Sequence, residues 1–291
     1  MLPLAAICPI AMMTFTSPDL DAVLERYQNH LHYELRSEGH ISPELAASWE
    51  TPKVAGRRYI LLGPASGEKI YLRAIEGPRT PGFEPLKSYG WTTAEIVVKD
   101  AFTLSHALKD TPFVEETANR VLPLNFTDDM INFRVVGPDG EALYLTQLDD
   151  EVPNFPFAKA NSFVDHIFMT LVTNRDPGLS QAFYENLFNL PGVSPLGTGE
   201  HKLHLMNLPR GCVLELDSPG PETAERPQLD GELPPGMAIS TYYMETLDRQ
   251  DLNYLAEPRI YDEAPYVKRR AVTLKGPSGE LIELLEFKMR P

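Results

Sequence analysis

Apolar and polar positions along the chain follow one pattern four times over. A short apolar run leads into a capped amphipathic stretch, and a glycine turn then opens a second apolar run. In the first unit Ile10 to Phe15 is the leading run. It meets Ser17-Pro18-Asp19, where Ser17 reads as a helix cap followed by proline at the first helical position. Leu20, Val23, Leu24, Tyr27 and Leu31 then recur at helical spacing, which predicts one buried face. The second unit runs from Thr93 to Val98 into Asp100 and a helix bearing Leu104 and Leu108. The third runs from Ile167 to Val172 into Asp176-Pro177 and a helix with Leu179, Ala182, Phe183, Leu187 and Leu190. The fourth runs from Ala238 to Met244 into Asp248 and a predicted helix carrying Leu252 and Leu255.

Each unit closes on a turn. The turns read Gly63-Pro64-Ala65-Ser66-Gly67, Gly137-Pro138-Asp139-Gly140, Pro209-Arg210-Gly211 and Gly276-Pro277-Ser278-Gly279. Their last glycines fall at 67, 140, 211 and 279, a period of roughly 70 residues that marks an internal repeat. A glycine there lets the backbone take positive φ. The runs that follow, Lys69 to Leu72, Ala142 to Leu145, Val213 to Leu216 and Leu281 to Leu284, have strand character. Each unit therefore reads as strand, helix, two strands, turn and final strand, a βαβββ module in an α+β chain. Proline- and glycine-rich stretches at Gly77 to Gly90, Asp149 to Asn161 and Asp217 to Gly236 separate the modules.

Composition narrows the partners. A net charge of −15 in 291 residues argues against nucleic acid and anionic membrane surfaces, both of which call for a basic face. No apolar run reaches the length of a membrane span. The apolar stretch before Phe15 lacks the basic start of a secretory signal and reads as a buried strand. Cys8 and Cys212 form no CxxC pair, so a thiolate zinc site is not expected. A cytoplasmic protein with reduced thiols follows as the default expectation. No Gly-rich phosphate loop precedes a helix, and no Gly-x-Ser-x-Gly elbow is present.

Modules of this kind, used in pairs and ending in Gly276-Pro277-Ser278-Gly279-Glu280-Leu281-Ile282-Glu283-Leu284, resemble the vicinal oxygen chelate superfamily. That superfamily holds glyoxalase I, methylmalonyl-CoA epimerase, fosfomycin-resistance proteins and extradiol ring-cleavage dioxygenases. The resemblance covers nearly the whole chain and implies four βαβββ modules paired into two glyoxalase-like domains. Modules 1–77 and 90–148 would form an N-terminal domain, 1–148, of structural role. Modules 162–217 and 236–291 would form a C-terminal domain, 162–291, holding the active site. Four modules at this length look most like the extradiol dioxygenases.

The resemblance also implies where ligands would lie, on the first and last strands of each module. The last-strand position holds Tyr71, Tyr144, Glu215 and Glu283. The first-strand position holds Met12, Thr93, His166, and Ser240 or Thr241. The N-terminal set is poor in metal donors, so Tyr71 and Tyr144 would fill their cavity. The C-terminal set, His166, Glu215 and Glu283, suits a divalent ion such as Fe, Mn, Ni, Co, Zn or Mg with open positions. The second histidine of the extradiol pattern is absent near Ser240 and Thr241.

Taken alone, each of these residues has an ordinary structural reading. A single histidine at a strand start is commonly a satisfied core or surface residue, and a glutamate on a half-buried strand commonly faces water. His201 and His204, three apart on a strand, point to opposite faces and form no paired site. Tyr242 and Tyr243 also alternate, so one of them would face the cavity.

The leading expectation is a metal-assisted lyase or isomerase acting on a small oxygenated substrate through an enolate, with Glu215 or Glu283 moving the proton. A catechol-cleaving Fe(II) dioxygenase is the second. A metal-free binding protein, or an acid–base enzyme using His204 and Tyr243, is the third. The expected partner is a small molecule, with a homo-oligomer left open.

Overall fold

The computed structural model describes residues 8–116, 122–124, 127–148, 159–190 and 204–288. The first module contains β1 (Ile10–Ser17), α1 (Leu20–Leu31), β2 (Tyr33–His40), α2 (Pro43–Ser48), β3 (Arg58–Pro64) and β4 (Tyr71–Glu76). The second contains β5 (Gly90–Val98), α3 (Ala101–Leu108), β6 (Val114–Glu115), β7 (Leu122–Leu124), β8 (Thr127–Val136) and β9 (Ala142–Leu148). The third contains β10 (Val164–Thr173), α4 (Pro177–Phe188), β11 (His204–Asn207) and β12 (Val213–Asp217). The fourth contains β13 (Met237–Met244), β14 (Arg259–Tyr261), β15 (Arg269–Lys275) and β16 (Leu281–Glu286). No helix among the described residues is long and apolar enough to cross a membrane.

Local chemistry sets the helix starts. Asp19, Asp100 and Asp176 each accept a backbone N–H three residues on, satisfying a donor that the helix itself leaves open. The cap of α1 is thus Asp19 and not Ser17. Ser17 ends β1, and its hydroxyl donates to Asp139 at 2.7 Å. Helix α1 buries Leu20, Val23, Tyr27 and Leu31, and each such side chain stabilises the fold by about 1.5–3 kcal/mol. Gly67 and Gly140 sit at φ of 82° and 85°, the conformation that makes glycine the residue of choice at the repeated turns.

Two eight-stranded sheets carry the modules, and their pairing corrects the sequence expectation. One sheet has the order β14-β15-β16-β13-β1-β4-β3-β2, joining modules one and four. The other runs β11-β12-β10-β5-β9-β8-β6, with β7 attached to β8, and joins modules two and three. In each sheet the seam is an antiparallel pair of first strands, β1 with β13 and β5 with β10. The final strands β4, β9, β12 and β16 run parallel to their own first strands and leave only that edge open. The exchange brings the two linkers together. Tyr89 N donates to Ala224 O, and Ala224 N to Lys87 O. The two linkers therefore run side by side as both cross between sheets.

Each sheet curls into a cup. The opposite faces of the two sheets share one core with α1, α3 and α4, built around Trp91, Ile96, Phe133, Phe168, Tyr184 and Tyr242. Thr170 and Tyr242 hydrogen bond across it at 2.6 Å.

Two further expectations are corrected. The stretch after Asp248 is not a helix. Arg249 instead donates to the carbonyls of Asn186 and Leu187 at the end of α4, and Leu255 N bonds Thr273 O beside β15. Cys8 and Cys212 are not reduced thiols. They form a disulfide with a Cα–Cα distance of 5.6 Å, joining the start of β1 to the start of β12. Their separation of 204 residues hid the pairing from sequence.

Candidate functional site

The cup of modules two and three encloses a cavity of about 600 Å³. Strand alternation supplies its walls. Glu95 from β5, Tyr144 from β9, Met169 and Leu171 from β10, and Glu215 and Asp217 from β12 all face inward. Met130 and Asn132 of β8 and Leu205 of β11 complete the lining, and the linker residues Leu86, Lys87 and Glu222 form the rim.

Glu95 and Tyr144 are register partners on the parallel strands β5 and β9. Glu95 is 3% exposed. Burial pushes its carboxyl up to about 7, against the hydrogen bond from the Thr146 hydroxyl. Arg134 Nη1 donates to the Tyr144 oxygen at 3.1 Å. That leaves the phenol O–H of Tyr144 to donate elsewhere, and burial raises this group to about 12, so it keeps its proton at neutral pH.

Glu215 is 8% exposed. Its carboxyl is held well above the usual carboxylate range by burial first, then by the charge of Asp217 and a hydrogen bond with it, and by Glu95. Asp217 is likewise raised by burial. Burial and mutual repulsion thus both favour the protonated forms of these two carboxyls. Asp217 Oδ1 is buried without a hydrogen-bond partner.

The cup of modules one and four is plugged. Helix α2 and Trp49 fill it, against Met12, Leu61, Ile239, Tyr266 and Leu285. Glu283 lies inside at 1% exposure. Its oxygens accept from Trp49 Nε1 at 2.8 Å, Tyr266 OH at 2.9 Å and Thr241 Oγ1 at 2.9 Å. The guanidinium of Arg73 stands 3.7 Å away and also bonds Tyr266 OH and Thr14.

The residues singled out from sequence therefore part company. Glu215 lines the open cup and Glu283 the plugged one. His166 lies in neither lining. Its Nδ1 is 3.1 Å from Asp165 Oδ1. Burial opposes ionisation of Asp165, but bonds from His166, Ser66, and the N–H groups of Asn161 and Ser162 hold it at about 2. Ser66 and Tyr33 also tie this corner to module one, so His166 serves the joint between sheets. His204 meets Gln181 of α4 at 3.2 Å, on the strand face away from Leu205 and the cavity. Tyr243 packs against Phe287 and Arg269, while Tyr242 points into the shared core. His201 lies outside the described residues.

The first-strand positions lie elsewhere than the sequence spacing suggested. Register shifts interrupt β10 between Val164 and Ile167 and again before Met169. On the regular β10–β12 pair the level of Glu215 is met by Leu171 and not by His166. On β5 the level of Tyr144 is met by Glu95 and not by Thr93. A lone glutamate inside Thr92-Thr93-Ala94-Glu95-Ile96-Val97-Val98 was the signal available in the sequence.

Solved structures with the same architecture are found at low sequence identity. Glyoxalase I of Zea mays superposes with a TM-score of 0.64 at 14% identity, covering 96% of this chain and 92% of that one. A Bacillus subtilis protein provisionally described as a dioxygenase gives 0.63 at 13%, covering 97% and 86%. The chain has the vicinal oxygen chelate fold. No protein-family model matches the sequence, and no curated protein sequence matches it.

The ion that the sequence resemblance implied would be held by first and last strands, and the residues at those positions do not fit one well. The plugged cup offers Met12, Tyr71, Thr241 and a Glu283 already satisfied by three donors and faced by Arg73. The open cup offers Glu95, Tyr144, Leu171 and Glu215, with no imidazole. Among the described residues, no three His, Cys, Asp or Glu side chains converge on one ion position. The set His166, Glu215 and Glu283 cannot share an ion, because it is divided between two sheets and their joint.

Proposed function

We propose that the open cup is the active site of a proton-transfer enzyme, an isomerase or lyase working on a small carbonyl compound through an enolate. One observation carries this reading. A carboxyl poised near neutrality, Glu95, stands beside a phenol, Tyr144, whose oxygen is already bonded by Arg134.

A general base works best when its pKa lies near the working pH. Glu95 as carboxylate would take the proton from carbon next to the carbonyl. Tyr144 would donate its hydrogen bond to the oxygen as negative charge develops there, with Arg134 behind it increasing its strength as a donor. Glu95 would then return that proton to the enolate at carbon or oxygen, which restores its carboxylate. The cavity walls of Met130, Met169, Leu171 and Leu205 exclude water and strengthen each of these interactions. This keeps the enolate chemistry expected from sequence and moves it to other residues, without His204, Tyr243 or Glu283.

The test is exchange of carbon-bound hydrogen in D2O, followed by NMR over a panel of small hydroxy- and amino-carbonyl compounds. Wild-type protein should accelerate exchange for a subset. Glu95→Gln should abolish it, and Tyr144→Phe should reduce it by a factor of 10²–10³. Undiminished exchange in Glu95→Gln would refute the assignment.

A further inference from the structure

The chemical class of the ligand can be argued from the same cup, and the argument rests on that cup being the site. Its walls combine an apolar floor with an excess of acid. Met130, Met169, Leu171 and Leu205 give a surface for a hydrocarbon body, within about 600 Å³. Around it stand Glu95, Glu215 and Asp217, with Glu222 at the rim.

The basic groups near the cup are already engaged. Lys87 at the rim lies 2.9 Å from Glu84 and 3.2 Å from Glu222. Arg134 of β8 is committed to Tyr144 at 3.1 Å and Glu116 at 3.5 Å. Among the described residues lining the cavity, none offers an unpaired cation to an anionic ligand. One buried oxygen, in contrast, looks for a donor. Asp217 Oδ1 has no partner, and it stands beside Glu215, which is more than nine-tenths buried.

We infer that the cup takes an organic monocation, a small molecule bearing a protonated amine on an apolar body, with the ammonium seated against the Glu215–Asp217 pair. An ammonium brings three N–H donors and one positive charge. The pair offers carboxyl oxygens to accept them, among them Asp217 Oδ1, which has no partner. An anionic ligand would add to the repulsion already present, and a neutral one would leave it unrelieved. The geometry also leaves Glu95 and Tyr144, on β5 and β9, free for the neighbouring carbonyl.

Proton linkage follows from the groups that face the ligand: Glu95, Tyr144, Glu215, Asp217, Glu222, Lys87 and Arg134. A cation favours the ionised form of the carboxyls, so binding expels protons and tightens as pH rises from 5 to 8.

The experiment uses the full chain and three probes of one shape: benzylamine, benzyl alcohol and benzoate. Calorimetric titrations run at pH 5 and pH 7.5, in buffers of different ionisation enthalpy. Benzylamine should bind at least tenfold more tightly than the other two, with proton release at pH 7.5. Asp217→Asn and Glu215→Gln should weaken it about tenfold or more, with near-native circular dichroism. Equal or tighter binding of benzoate, or no benzylamine binding at millimolar concentration, overturns the inference. So does Mn2+ binding to the cup while benzylamine gives no heat. Hydrogen exchange on carbonyl compounds separates the two claims. Exchange that needs Glu95 but shows no preference for amines defeats this inference alone. Benzylamine binding with no exchange on any amino-carbonyl defeats the proton-transfer reading alone.

Discussion

The phenol of Tyr184 on α4 donates to the carboxyl of Glu280 at 2.7 Å, so a helix of the third module is fastened to the closing turn of the fourth. The first half repeats the arrangement with different partners. There Glu141 is buried in the turn of module two, and Tyr27 of α1 feels its charge from module one. Arg26 of α1 bonds Asp139 of the same turn at 2.6 Å. The sheets join modules one with four and two with three, and these helix-to-turn bonds join one with two and three with four. Tyr184→Phe should therefore lower unfolding stability by about 1–3 kcal/mol, because it leaves the buried Glu280 Oε1 without this donor while Oε2 keeps Ser278 N. Urea titration checks this. A change below about 0.3 kcal/mol would show that the bond contributes nothing.

The same buried acids set the response to pH. Burial raises Glu141 and Glu95 to about 7 from an ordinary value of 4.5. Between those values the folded chain binds more protons than the unfolded chain, so stability falls as pH rises. Each group accounts for up to roughly 3 kcal/mol of stability that is present in full below about pH 4.5 and lost as pH rises through 7. Urea midpoints should drop from pH 5 to pH 8, and Glu141→Gln should flatten that slope. A midpoint that climbs over this window contradicts the burial of these acids.

In the plugged cup Arg73 and Glu283 are each 1% exposed and 3.7 Å apart. Removing either partner leaves the other as a buried charge, so Arg73→Met or Glu283→Leu should cost about 3–5 kcal/mol. The double variant Arg73→Met with Glu283→Leu should cost less than the sum of its singles, by more than about 1 kcal/mol. Additive losses in a double-mutant cycle would mean that the two charges do not interact. Neither change should alter ligand binding in the open cup.

The repeat was legible because glycine turns and helix caps are local. Positive φ at Gly67, Gly140, Gly211 and Gly279 and acid caps at Asp100 and Asp176 leave marks that one segment carries by itself. The pairing of modules was not legible, since β1 and β13 meet over more than 200 residues through nothing more distinctive than two apolar edges. The site suffered for the same reason. On β10 the level of Glu215 falls at Leu171, five residues beyond His166, and the shifts in the seam with β5 have no dependable sequence mark. Glu215 was found because it follows its turn on a regular strand. Asp217, two residues on and facing the same way, was within reach of the same rule.

The disulfide supplies the last expectation. Cys8 and Cys212 are 204 residues apart, and their bond ties the first sheet at β1 to the second at β12. A bond that closes so long a loop removes much freedom from the unfolded chain, on the order of 2–5 kcal/mol in stability. Cys212 is fully buried, so serine there would also strand a hydroxyl, and alanine at Cys8 is the cleaner variant. Cys8→Ala should lower the urea midpoint and make it insensitive to dithiothreitol, while the wild type loses stability on reduction. Mass spectrometry of the unreduced, alkylated protein should find no free thiol. Full alkylation of both cysteines in oxidised, folded protein, with no change in midpoint on reduction, would show that the two thiols stay apart.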